Sequence, residues 1–296
     1  MIQINSCPIC DANEIVDWSE VDDFSVSREK FHIYRCLHCT VKFTQNIPSK
    51  KDIGAYYQSE QYISHSDSKS GFVNKIYHFV RSFTIRQKVT LVKMISQKKS
   101  ATLLDLGSGT GTFLLAMKDQ GWKVYGMEPD EKAREFSKSK DLQVDDSANL
   151  EQLNHSSFDI ITLWHVLEHI HDLHESLEIL RTSIKEDGFL IIAVPNYFSF
   201  DAQFYDKYWA AYDVPRHLYH FTPDSIKTLM SKHHFKVMDI RPMWFDSFYV
   251  SMLSEKYKKG SLIRALLIGL ISNVKVIFNR SKCSSLIYIV KPLPRA

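Results

Sequence analysis

Hydrophobic and polar positions change their period along this chain, and the changes divide it. Between residues 101 and 194, short apolar runs alternate with stretches of helical spacing. Thr102–Leu106, Val124–Met127, Phe158–Leu163 and Phe189–Val194 have strand length and character, and a weaker run covers Leu142–Val144. This alternation predicts an α/β fold, a doubly wound parallel sheet with helices on both faces. Upstream, Ile76, Phe79, Val80, Phe83, Val89, Val92 and Ile95 recur at intervals of three and four, as in an amphipathic helix or a pair of helices. The stretch before it, from Pro48 to Gly71, is polar and tyrosine-rich and reads as a linker with short helical turns.

The first strand runs into Asp105-Leu106-Gly107-Ser108-Gly109-Thr110-Gly111 and then into a helical pattern. Glycines at alternate positions let the backbone turn tightly and approach a ligand, while the following helix offers free N–H groups. The spacing is Gly-x-Gly-x-Gly, whereas a dinucleotide fingerprint would place its third glycine at Thr112. An acid, Glu128, ends the second strand about 20 residues on, where doubly wound folds hold a ribose. These residues resemble the class I S-adenosylmethionine (SAM) methyltransferases, with a core of the type 11/12/23 kind. Glu128-Pro129, Ser157-Phe158-Asp159, Val166-Leu167-Glu168-His169 and Asp187-Gly188 fall at that family's expected places, and the likeness covers roughly 101 to 223. It implies a seven-stranded Rossmann-like sheet closed by an antiparallel pair, Phe235–Arg241 and Ser285–Val290. It also implies SAM as cofactor, held by Asp105, Gly107, Gly109, Gly111, Glu128 and Trp164, with Asp146 or Asn149 toward the adenine. Tyr57 or Tyr62 would act as a lid.

Two Cys-x-x-Cys knuckles, Cys7/Cys10 and Cys36/Cys39, precede this core. Each tight turn supplies two thiolates, and Zn²⁺ takes four in a tetrahedron, so a closed structural zinc ribbon is expected. The expected organisation is a ribbon over 1–45, a linker and helical lid segment over 46–100, and a SAM-binding core over 101–296. The composition, with 44% hydrophobic and 24% charged residues and a net charge of +3, fits a globular protein and does not announce nucleic acid. Met1–Val16 has no leader pattern, so a cytoplasmic location is expected.

Ligands of a doubly wound sheet bind beyond the carboxyl ends of its strands. That places Trp164-His165 and the long aromatic loop Tyr197–Thr222 near a transferable methyl group. His165 and His169, four apart, would share one face of a helix starting there. His-Val-Leu-Glu-His also has the spacing of an inverted zinc protease, a reading its place after a cofactor-fold strand removes. Some ubiquinone-type O-methyltransferases resemble it with Glu-x-x-Glu-His and hold a divalent metal; His165 replaces the first acid here. In the loop, Arg216 could grip an anionic acceptor and His217 or His220 could take its proton; alternatively Asp213 and Arg216 merely pin the loop. The insertion 246–283 is basic and apolar. Its helix, near 260–279, would lie at the inner face of a membrane, or be buried against the domain or in a dimer. The expected function is methyl transfer, at oxygen, to a small or lipid-linked acceptor. An rRNA or tRNA methyltransferase and a zinc-ribbon adaptor with a methyltransferase-like domain are the rivals, and the ribbon's lack of a Lys/Arg patch makes nucleic acid the weaker partner.

Overall fold

The computed structural model describes residues 1–57 and 72–294, and for 72–81 the backbone only. Tyr62 therefore lies outside the described residues. Strands β1 (Ile15–Asp22), β2 (Lys30–Cys36) and β3 (Lys42–Thr44) form an N-terminal antiparallel sheet. Helix α1 (Phe72–Ser96) is one continuous helix leading to the core. The core then alternates: β4 (Thr102–Leu106), α2 (Thr112–Lys118), β5 (Lys123–Met127), α3 (Glu131–Lys138), β6 (Val144–Asp145), β7 (Phe158–Trp164), α4 (Leu173–Ser183) and β8 (Ile184–Pro195). After β8 come α5 (Phe200–Tyr205), β9 (Tyr219–His220), α6 (Pro223–Lys232), β10 (Phe235–Pro242), α7 (Asp246–Tyr257), α8 (Leu262–Phe278) and β11 (Ser285–Pro292).

The large sheet has the order β10-β11-β8-β7-β4-β5-β6. Strands β4 to β8 pair in parallel, and β11 is antiparallel to both β8 and β10. This is the expected seven-stranded Rossmann-like sheet with its closing antiparallel pair. Residues from both faces of the central strands are buried: Leu104, Ile161 and Ile192 pack in one apolar cluster, Leu103, Ile160 and Ile191 in the other. Side-chain alternation makes such strands apolar throughout, which is why their sequence shows runs rather than a two-residue period. Local signals set several helix starts. Asp130 caps α3 by accepting from the Ala133 N–H, and Thr222 caps α6 in a reciprocal pair with Ser225.

Four departures from expectation have physical causes. Strand β8 begins at Ile184, so Lys185–Gly188 is strand, tied in by the Lys185 to Asp159 ion pair across to β7. The third strand shrinks to Val144–Asp145 at the sheet edge, where it has one partner only. His165 and His169 do not share a helical face: His165 has φ +60, a single 3₁₀ turn spans Leu167–His169, and α4 starts only at Leu173. Nor does the N-terminal sheet end within 1–45, because β9, from the aromatic loop after β8, adds to it beside β3. Cys7, Ile9, Val41 and Phe43 consequently share one core with Leu218, Phe221 and Leu163.

Candidate active site and cysteine cluster

The glycine turn sits at the carboxyl end of β4. A Cβ on Gly107 would meet Val166 Cγ2 at 2.4 Å, so the protein's own packing demands glycine there. Gly109 differs: it has φ +54, nothing stands within 4 Å of where its Cβ would be, and its N–H donates to Glu128 Oε2 at 2.8 Å. The open space over Gly109 is room for a ligand lying against the backbone. Glu128 is 9% exposed and also accepts from the Asp130 N–H, and burial raises its pKa. Asp105 lies within the sheet, accepts from Thr162 Oγ1 at 2.6 Å, and is pushed up to about 7, chiefly by burial. Trp164 packs edge-on against Phe113, with Lys88 Nζ 4.5 Å from its ring. Asp146 caps the turn after β6 and pairs with Arg134 at 3.1 Å, and Asn149 accepts from Gln152.

Beyond β7, His165 lies between two carboxylates, Nε2 3.1 Å from Asp246 Oδ2 and Nδ1 3.4 Å from Glu168 Oε1. Burial pulls its pKa down, but the two acids outweigh it and raise it to about 10, so the ring is an imidazolium at neutral pH. As a cation it has no lone pair with which to take a proton, so its place is to hold the two carboxylates. Glu168 is fully buried. His169 Nδ1 lies 3.0 Å from both the Arg216 carbonyl and the Tyr57 hydroxyl, and His217 Nδ1 lies 2.8 Å from the Ala211 carbonyl. A carbonyl only accepts, so each ring carries its proton on Nδ1 and keeps a lone pair on Nε2. The rings meet edge to face at 4.6 Å, and burial and His217 lower His169 to about 4. One donor atom each from Glu168, His169 and His217 lies within 4.8 Å of the others, a set able to exchange a proton or to hold a divalent cation.

The other loop residues take structural positions. Arg216 has a fully buried side chain that donates to Asp213 Oδ1 and Oδ2 at 2.7 and 3.0 Å and to Asp23 Oδ1 at 2.8 Å. It grips the protein's own carboxylates, so it does not reach an acceptor. His220 is 3% exposed, lies 3.3 Å from Thr44 Oγ1, and has its pKa driven well below the ordinary value by burial. It is part of the seam between β9 and the N-terminal sheet, not a base open to a substrate. Asp246, Tyr57 and Lys88 complete the site. Tyr57 is one of the two tyrosines named as lid residues. The signal for Asp246 was its rarity, one of two acids in an otherwise basic insertion.

At the other end of the N-terminal sheet, Cys7 and Cys39 sulfurs lie 3.5 Å apart and Cys10 and Cys36 sulfurs 3.7 Å apart, with all four within 4.8 Å. A tetrahedron with Zn–S bonds of about 2.3 Å has edges near 3.8 Å, so the four thiols fit such an ion. Backbone N–H groups of Ile9 and Cys10 point at Cys7 Sγ, and those of His38 and Cys39 at Cys36 Sγ, as suits thiolates.

Comparison with known proteins now decides the family. The profile of the Methyltransferase domain family matches residues 78–240, more than half of the chain. The chain belongs to this family. An uncharacterized methyltransferase from Alkaliphilus oremlandii is 28% identical over 103 residues, 33% of this chain and 48% of that protein, so the match spans about half the relative's length. Magnesium protoporphyrin IX methyltransferase from Synechocystis, solved with bound S-adenosylhomocysteine (SAH), shares the fold at 15% identity and a TM-score of 0.55, covering 82% of this chain and 100% of that one. The 1,6-didemethyltoxoflavin-N1-methyltransferase from Burkholderia thailandensis, also with SAH, aligns at 13% identity and a TM-score of 0.51, over 88% and 99% of the two chains. The matched region 78–240 starts inside α1 and ends in β10, so strands β1–β3 and the α7–α8 hairpin lie outside it.

Proposed function

We propose that the protein is a SAM-dependent methyltransferase acting on a small or lipid-linked acceptor, at oxygen, with a structural zinc ion on Cys7, Cys10, Cys36 and Cys39. The observation that carries the reading is the open, left-handed Gly109 beside the buried Glu128 carboxylate. Glu128 suits ribose hydroxyls as an acceptor, and Asp105, held by Thr162 at the end of β4, would support the glycine turn under the methionine end. Trp164 would flank the bound cofactor, and Asp146 would face its adenine. SAM would supply an electrophilic methyl group, so the protein has only to align the acceptor and remove its proton. His217, with Nδ1–H fixed on a carbonyl and Nε2 free to take a proton, is the base; buried Glu168 balances the charge it gains. His165, already cationic, orients Glu168 and Asp246. Tyr57, joined to His169 by a hydrogen bond, would cover the acceptor.

Titration calorimetry tests the cofactor step. Gly109→Val puts a branched side chain into the open space at a strained φ, and Glu128→Ala removes the ribose acceptor; each should weaken SAM binding at least tenfold while the circular dichroism spectrum is kept. Undiminished SAM affinity in both variants would overturn the reading.

A further inference from the structure

Helix α8 is apolar on two opposite faces, and only one of them is used. Its inner face, Ala265, Ile268, Gly269, Ser272 and Val276, is buried. Gly269 lies against Phe248 of α7, Ser247 Oγ donates to the Gly269 carbonyl at 3.2 Å, and Ser272 Oγ donates to buried Asp201 at 2.7 Å. The outer face is a continuous stripe of Ile263, Leu266, Leu267, Leu270, Val274 and Ile277, each 44–72% exposed except as neighbours shade them, and Phe278 is 86% exposed. At 100° per residue these side chains span an arc of about 120°, along a helix about 25 Å long. No described residue covers them.

The surround of the stripe says what does. The segment from Asp246 to Ser284 has seven basic residues and two acids. Both acids are spent internally, Asp246 on His165 and Glu255 on Arg264 at 2.6 Å. Lys256, Lys258 and Lys259 stand at one end of α8, Arg280 and Lys282 at the other, and Lys275 on its flank. Below Phe278 is an open cavity of about 300 Å³ lined by Phe200, Gln203, Lys275, Phe278, Asn279 and Lys282. The two ammonium groups converge there over Phe200 and Phe198 rings, at 4.8 and 3.4 Å, and burial together with Lys275 lowers the Lys282 pKa. An anion between them would relieve that repulsion.

We infer that the outer face of α8 docks on an anionic phospholipid surface, the stripe entering the acyl boundary and the Lys275–Lys282 cavity taking a headgroup phosphate. Apolar burial and cation attraction then act together. A second copy of the chain fits worse, because two identical basic rims would face each other. Nucleic acid would use the lysines and leave the stripe in water. No helix among the described residues is long and apolar enough to cross a bilayer, so α8 lies along the surface. The first residue of α7, Asp246, holds His165, so the hairpin that docks is rooted in the candidate site. This last point rests on the proposed methyl transfer; the docking itself does not.

Co-sedimentation with vesicles of phosphatidylglycerol and phosphatidylcholine in equal parts tests the inference, with pure phosphatidylcholine vesicles as the comparison. Wild-type protein should bind the mixed vesicles, at least tenfold better than the neutral ones, and less well in high salt. Leu266→Ser, Leu267→Ser and Leu270→Ser together, all at exposed positions, should reduce binding at least tenfold; Lys275→Gln and Lys282→Gln should each reduce it about fivefold. SAM affinity, measured on the same preparations, should not change. Absence of vesicle binding by the wild type, or binding indifferent to the leucine changes, would overturn the docking. So would a dimer in sedimentation velocity that the leucine changes dissolve, or RNA binding that survives them. Loss of SAM binding with vesicle binding intact would count against the methyltransferase reading alone.

Discussion

His165 shows how a residue's environment, rather than its type, sets its role. Its backbone takes φ +60 at the exit from β7, and its ring lies between Asp246 and Glu168. Its pKa is raised to about 10 against an ordinary value of 6.5. A histidine raised on folding adds stability that is full below the unfolded value, about 6.5, and is lost as the pH rises through about 10. NMR of the ring nitrogens should therefore show His165 protonated at neutral pH with a midpoint well above the other histidines. Asp246→Asn should bring that midpoint down by removing the closer carboxylate. A His165 midpoint near 6.5 in the wild type would show that the two acids do not hold it. Such a pair of contacts was not legible in the sequence, because Asp246 and His165 are 81 positions apart and meet only when the start of α7 folds back to the carboxyl end of β7. Glu128, by contrast, was legible, since its place after the second strand follows from the chain's local order.

At the scale of elements, strands buried on both faces announced themselves as apolar runs, and six of the seven core strands lie where those runs or the family likeness put them. What the sequence hid was sharing between elements. The dipeptide Tyr219-His220 is too short to carry a strand pattern, yet it becomes β9 because β3 offers an unpaired edge, and Thr44 Oγ1 donates to the His217 carbonyl at 2.6 Å beside it. Tyr197 also donates its hydroxyl to the Thr40 carbonyl, close to the second cysteine knuckle. The cysteine cluster therefore supports the aromatic loop as well as its own strands. Protein purified without chelator should carry about one zinc per chain by elemental analysis. Stripping it should free the four thiols to alkylation and raise amide exchange in β1–β3 and in the 213–220 loop together. Exchange confined to the N-terminal strands would show that the two elements are not coupled, and metal-free protein with all four thiols freely alkylated would remove the zinc.

At the scale of the whole molecule, one buried ionic group joins the parts that sequence reading kept separate. Arg216, from the aromatic loop, bridges Asp213 on its own loop and Asp23 at the end of the N-terminal sheet; all three are charged, since burial is outweighed for each carboxylate by the guanidinium and, at Asp23, by the N–H groups of Ser25, Val26 and Ser27. The carbonyl of Tyr56 accepts from the same guanidinium at 2.9 Å, so the turn at Tyr56 is anchored there too. Replacing Arg216 by Met leaves two carboxylates buried without a counter-ion, and removal of one partner from such a group costs about 3–5 kcal/mol. Urea unfolding of Arg216→Met should show a loss of that size. Adding Asp23→Asn should recover part of it, because one stranded charge is then removed, whereas a residue that only gripped an acceptor would leave the unfolding midpoint where it was. The double variant decides between the roles: recovery of stability by a change at Asp23, which lies in the N-terminal sheet, requires that the ion group clamp sheet and loop together. Equal stability of wild type and Arg216→Met would instead return Arg216 to the list of acceptor-binding residues.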